Sequence, residues 1–203
     1  MTPKTALYQL KTNTQQFLSK NLVVCAGGAT SGQRPFSFGI HGSYQGPRAN
    51  VNEVFTFTTI PLNTPNPEKP LCENVRMIAN TEVCDLTNLE AYTLGAGLDL
   101  MVTGQLSGCA FCILNHGNNL TLAHVQPGGL RNMDGATLRN TLINTGRFAG
   151  HAAHPLTAVY GMGDYVARAY VIGIKRAGSW ELWGQAVSSG GATADIQAVT
   201  RIV

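Results

Sequence analysis

Apolar positions near the start of the chain recur at helical spacing. Leu7, Leu10, Phe17 and Leu18 are separated by polar residues, which predicts a helix over about residues 4–19. Beyond it the period shortens to that of strands, in the runs Leu22–Cys25, Phe36–Ile40 and Val54–Ile60. Residues 26–33 read as a turn or loop; they lack the Gly-Lys-Ser/Thr ending of a phosphate-cradling loop. Pro61, Pro65, Pro67 and Pro70 stiffen the next connection, which we read as a long loop inside one domain. Asp134 is expected to cap a helix reaching about Phe148, with Leu138, Leu142 and Ile143 inward. The last third returns to strands, Val166–Lys175, Trp180–Val187 and Asp195–Val203, with Gly178-Ser179 as the turn between the first two. Trp180 and Trp183 have opposite strand parity, so one is expected to pack inward; a partner surface for the other is the less favoured reading. Strand runs with a helix near each flank predict an α+β fold, a β-sandwich of mixed sheets flanked by helices, in a single domain over residues 1–203.

The middle of the chain carries the most specific pattern. Leu98–Val102 predicts a strand, residues 104–108 a turn, Ala110–Leu114 a second strand, residues 115–118 a turn, and Leu120–Val125 a third strand. With His116-Gly117 as a two-residue loop, paired positions have numbers that sum to 233. Cys109 then lies opposite His124, Phe111 opposite Leu122, and Ile113 opposite Leu120. One face of this hairpin is apolar throughout, with a thiol and an imidazole at its open end. Directly opposed residues have Cβ atoms about 5 Å apart, close enough for the imidazole to reach the sulfur.

That pairing suits nucleophilic catalysis. An adjacent imidazole can stabilise the thiolate, which is the attacking form. The tight turn at Ser107-Gly108 would place backbone amides beside the sulfur, where they can hold a developing oxyanion. Inert packing is the alternative, since cysteine is often a small buried hydrophobe. Other constellations are weaker. Cys109-Ala-Phe-Cys112 lies in a strand, where residues three apart point to opposite faces, which disfavours a redox or zinc site. His151 and His154 precede Pro155 with no glutamate between them, so we read a loop bordering the site and no metal. Asn119-Leu-Thr121 matches a glycosylation sequon but falls in the predicted strand.

Composition narrows the classes. The chain has 203 residues, 44% hydrophobic and 12% charged, which is globular in character. Net charge is +3, and the 14 Lys and Arg are scattered, which argues against a nucleic-acid partner. Five cysteines form an odd set (Cys25, Cys72, Cys84, Cys109, Cys112), read as buried free thiols in a reducing compartment and not as a disulfide scaffold. No signal-peptide h-region and no long apolar run is present, so neither a classical secretion signal nor a membrane span is expected.

Leu106-Ser107-Gly108-Cys109, followed by a strand, a turn and His124, resembles the active-site hairpin of the toxin deamidases. These are the catalytic domains of the cytotoxic necrotizing factors and the Burkholderia lethal factor. The separation of fifteen residues between Cys109 and His124 is similar to the necrotizing-factor spacing, and the chain length is similar to the lethal factor. Bacterial chemotaxis-receptor deamidases are more distantly similar, with a threonine six residues before the cysteine, as Thr103 stands here. The resemblance spans about Leu98–Val125. It implies a cofactor-free bacterial toxin or effector that converts a target-protein glutamine to glutamate. Cys109 would be the nucleophile, His124 the acid–base group, Thr103 the residue that orients it, and Ser107 and Gly108 the oxyanion turn. It also implies a monomer, stored in the bacterial cytoplasm and secreted without a classical signal, acting in the host cytosol on a Rho-family GTPase or a translation-initiation helicase. Necrotizing factors add an acidic or carbonyl contact from an upstream strand. No motif places it here, although Asn74 and Asn80 lie in the right region. The same site would act as a transglutaminase if an amine replaced water. A cysteine amidase or peptidase, and a non-enzymatic β-sandwich binding module, are the alternative classes. Substrate choice is expected to lie in the loops at Pro61–Pro70 and Asn144–Pro155.

Overall fold

The computed structural model describes all residues except 45, 80, 81, 83, 84, 117, 118, 129–132, 152, 189 and 190. Two helices open the chain, α1 (Pro3–Thr12) and α2 (Thr14–Lys20). The single helix expected over residues 4–19 is thus broken. Asn13 leaves helical geometry at φ −131° and ψ 51°, in keeping with the weak helix preference of asparagine. Thr2 caps α1 through its hydroxyl, which accepts from Thr5 N at 3.2 Å, and Pro3 follows in the first turn.

Three sheets follow. A three-stranded sheet has the order β1 (Asn21–Cys25), β4 (Glu53–Thr58), β3 (Ser37–Ile40). A six-stranded mixed sheet runs β14 (Ile196–Arg201), β13 (Ser179–Val187), β12 (Arg168–Arg176), β8 (Leu100–Thr103), β5 (Leu71–Val75), β2 (Gly32–Pro35). A five-stranded sheet runs β11 (Ala158–Tyr160), β9 (Ala110–His116), β10 (Asn119–Val125), β6 (Met77–Ile78), with β7 (Tyr92–Thr93) also pairing β10. Helix α3 (Gly135–Thr145) is capped by Asp134, which accepts from Thr137 N at 2.7 Å. The fold is α+β, a sandwich of mixed sheets flanked by helices.

Side-chain alternation builds the layers. Along β12, Tyr170, Ile172 and Ile174 join a core shared with α1, α2 and the three-stranded sheet. Ala169 and Val171 face the other way, into a second core shared with Phe111, Ile113, Leu120 and Leu122 of the five-stranded sheet. The six-stranded sheet is therefore buried on both faces at β12. A third core lies between the outer face of β9–β10, with Cys112, Leu114 and Ala123, and α3, with Leu138 and Leu142.

Several expectations change. Ile143 is half exposed and not inward, because Leu138 and Leu142 already fill the face of α3 that meets the sheet. The β12–β13 turn is Ala177-Gly178, one residue earlier than expected: Arg176 pairs with Ser179, and both turn residues take positive φ, as a primed hairpin turn requires. Trp180 and Trp183 do face opposite ways, but both are buried, in the second and first cores respectively. Neither forms a free surface. Cys25, Cys72, Cys109 and Cys112 are buried free thiols; Cys84 and Asn80 lie outside the described residues. Among the described residues no helix is long and apolar enough to cross a membrane.

Candidate active site

The β9–β10 hairpin forms with the expected face but a different register. His116 pairs with Asn119, Ile113 with Leu122, and His124 with Phe111, so paired numbers sum to 235 and not 233. The connection is residues 117 and 118, outside the described residues. Cys109 is therefore not opposite His124 but diagonal to it, one pleat beyond Phe111. Such neighbours have Cβ atoms about 7 Å apart. A slip of two positions preserves the face, which is why the apolar alternation could not detect it. Phe111 and His124 meet edge to face, with ring centres 6.3 Å apart.

The second core brings the site residues together from two sheets. Thr103, at the end of β8, shares a face with Met101 and points across the core toward β10. Its hydroxyl oxygen lies 2.8 Å from His124 Nδ1 and 2.7 Å from the Val75 carbonyl oxygen. Parallel pairing of β5 with β8 places Val75 directly beside Thr103. The single hydroxyl proton can satisfy only one of these contacts. A carbonyl only accepts, so the proton goes to Val75, and Nδ1 must carry its own proton and donate to Thr103. That fixes the neutral tautomer, with the lone pair on Nε2. Nε2 is buried and, among the described residues, has no hydrogen-bond partner. Val75 supplies the carbonyl from an upstream strand that no motif could locate.

Asn74 plays a different part, on the opposite face of β5. Its side chain accepts from Gly28 N at 2.9 Å and donates to the carbonyls of Gly28 and Thr30. This ties the loop after β1 against the segment following Thr103. A Cβ at Gly27 would meet Gly104 N at 2.5 Å, so the two backbones touch there.

Cys109 is 3% exposed and His124 fully buried. Burial pushes the Cys109 thiol up, while backbone hydrogen bonds at Ser107 and Cys109 oppose the shift. Burial pushes the His124 imidazole down to about 4. At neutral pH the described state therefore holds a neutral thiol and a neutral imidazole. The thiol leans toward Ser107 O at 3.9 Å. Gly108 occupies the left-handed region at φ 78°, which turns the chain sharply before Cys109. Ser107 is exposed on this turn.

Two neighbours escaped the sequence reading. Tyr165, buried at 2% exposure, donates its phenol to Cys109 O at 2.6 Å. The start of α3 packs on the same turn: a Cβ on Gly135 would meet Gly108 O at 2.5 Å. Neither residue has a recognisable spacing to Cys109, so no linear pattern could have flagged them.

The expected substrate loops lie elsewhere. Thr64 and Pro67 pack on Gly39 of β3 and Glu68 bridges Phe38, which places the proline-rich loop on the three-stranded sheet. His151 lies tilted against His116 and His154 meets it edge-on, with ring centres 5.0 and 5.6 Å apart. They sit at the tip of the hairpin, roughly 20 Å along β9 from Cys109, and do not border the site. Among the described residues no group of three or more His, Cys, Asp or Glu is placed to hold a metal ion. Cys112 faces the third core, away from Cys109.

No protein-family model matches the chain, and no curated protein sequence matches it.

Proposed function

We propose that this protein is a thiol-dependent protein-glutamine deamidase. One observation carries the reading: His124, held by Thr103 and Val75 in the tautomer that leaves Nε2 basic, shares a buried face with Cys109. A histidine serving only as core would bury its second nitrogen against a partner, because an unpaired buried polar atom costs about 1–3 kcal/mol. An orphaned nitrogen with a free lone pair, on the same face as a thiol, is what proton abstraction requires.

The chemistry follows from these atoms. Rotation of the Cys109 side chain away from Ser107 O brings Sγ toward Nε2, which takes the thiol proton. The thiolate attacks the carboxamide carbon of a glutamine, and the amides of the Gly108 turn are the donors we assign to the oxyanion. The C–N bond then breaks, with Nε2 returning its proton to the leaving ammonia. Water enters, loses a proton to Nε2 and opens the thioester, which releases glutamate and regenerates the thiol. Both groups start neutral, so the ion pair forms only as the reaction proceeds. The hydroxyl of Thr103 stabilises the imidazolium through Nδ1–H.

The resemblance of the Leu106–Cys109 motif and its histidine to the toxin deamidases extends the reading to a secreted effector. Rho-family GTPases and a translation-initiation helicase are then the first targets to test. Incubation with purified candidates, followed by intact-mass spectrometry, should show a gain of about one dalton (the difference between amide and acid) with no cleavage. Fragments would instead support a peptidase. No mass change in any glutamine-bearing protein or peptide, with Cys109 left unmodified by thiol probes even well above the ordinary cysteine pKa of about 8.5, would refute the enzyme reading.

A further inference from the structure

We propose that Tyr165 is a positioning residue for the nucleophile: its phenol holds the Cys109 peptide still while the side chain swings between Ser107 and His124. The inference rests on the deamidase reading and adds a member to its site. Cys109 lies just outside the β9–β10 ladder, whose last pair on that side is Ala110 with Val125. Strand pairing to β10 therefore stops short of the residue whose position matters most. The Tyr165 hydroxyl, donating to Cys109 O at 2.6 Å from a buried ring, supplies the missing restraint.

Tyr165 is itself anchored. It ends a tight turn in which Asp164 N donates to Gly161 O at 2.9 Å and Gly163 N to Tyr165 O at 3.2 Å. The Asp164 carboxylate accepts from Gly161 N at 2.9 Å and takes both Nε and Nη2 of Arg139, at 2.8 and 3.0 Å. Bidentate pairing of this kind fixes geometry as well as charge. Arg139 belongs to α3, and α3 begins at Gly135, which presses on Gly108 O. The contacts close a ring: Gly108 and Cys109 to Tyr165, Tyr165 to Asp164, Asp164 to Arg139, and α3 back to Gly108. The ring of Tyr160, 5.8 Å from that of Tyr165, backs it from β11.

A reactive side chain that must rotate needs a backbone that does not, because a misplacement of about 1 Å can cost 100-fold in rate. Removing the phenol hydroxyl frees the Cys109 peptide at one end while leaving the ring in place. Thr103, Val75 and His124 are untouched.

The test is the pH profile of Cys109 alkylation by iodoacetamide, read peptide by peptide in the full chain by mass spectrometry, for Tyr165→Phe and Asp164→Asn. Tyr165→Phe should lower the alkylation rate at least fivefold across the profile, with the circular dichroism spectrum unchanged. Asp164→Asn should lower the profile the same way by a smaller factor, and it decides the question if Tyr165→Phe does not fold. A wild-type profile in both variants overturns the assignment. His124→Gln separates this from failure of the deamidase reading: if that substitution leaves the wild-type profile unchanged, Cys109 and His124 are not a pair, and the positioning role falls with it.

Discussion

The Thr103 hydroxyl makes the sharpest test, because among the described residues it is the group that tells the two nitrogens of His124 apart. Thr103→Val keeps the shape of the side chain and removes its oxygen. Two buried groups then lose this contact: the Nδ1–H of His124 and the Val75 carbonyl, at 2.8 and 2.7 Å from the deleted atom. An unsatisfied buried group costs about 1–3 kcal/mol. The added methyl recovers part of this, so a net loss of about 3 kcal/mol is expected. The catalytic effect should be larger. Without Thr103 the imidazole is free to carry its proton on Nε2, where it cannot act as a base, and general acid–base catalysis contributes about 100- to 10,000-fold. Thr103→Ser retains the hydroxyl and should cost only about 1 kcal/mol for the missing methyl, with activity largely kept. Urea unfolding measures the first quantity and initial deamidation or alkylation rates the second. The ¹⁵N resonances of the His124 ring report the tautomer directly. A wild-type ring protonated at Nε2 at neutral pH, or a Thr103→Val enzyme with the parental rate, would refute the reasoning.

Other outcomes follow from the same geometry. Cys109→Ser and His124→Gln should each abolish deamidation while preserving the fold; full turnover by either removes it from the mechanism. His124 titrates at about 4 when folded against an ordinary 6.5, so the unfolded chain binds the proton first. Its contribution, about 3 kcal/mol from the width of that gap, is complete above pH 6.5 and lost as pH falls toward 4. His124→Gln should flatten urea midpoints over this interval, and an unaltered slope would contradict the burial argument. Gly135→Ala would raise intrinsic helix propensity, yet its Cβ would strike Gly108 O at 2.5 Å. A lower melting temperature and slower Cys109 alkylation are expected; a stabilised protein with unchanged reactivity would show that the helix does not press on the turn.

Much of this site is legible in the sequence. The motif at Leu106–Cys109 and the alternation of Phe111, Ile113, Leu120 and Leu122 placed thiol and imidazole on one apolar face. The six-residue step back to Thr103 came from the resemblance, and the structure places its oxygen against the imidazole. Register was a different matter. Hydrophobic alternation has a period of two, so pairings that differ by two positions bury the same side chains. Choosing between them depends on how the strands meet at the turn, and the observed choice makes Cys109 a diagonal neighbour. The positions of the loops are not legible for a related reason: proline-rich or histidine-bearing composition marks a connection without saying which layer it lies over.

The chain by itself determined which residue types carry the chemistry and which face of the hairpin they share. Both follow from local periodicity and from a motif whose members are close in sequence. The tertiary structure alone decided what surrounds them. Val75 reaches Thr103 only because β5 and β8 pair in parallel. Tyr165 reaches Cys109 from 56 positions away, and Gly135 meets Gly108 through the packing of α3. These contacts depend on layer stacking, which has no signature in linear spacing. They decide the tautomer of His124 and the footing of Cys109, and so turn two residues on a shared face into a proposed catalytic pair.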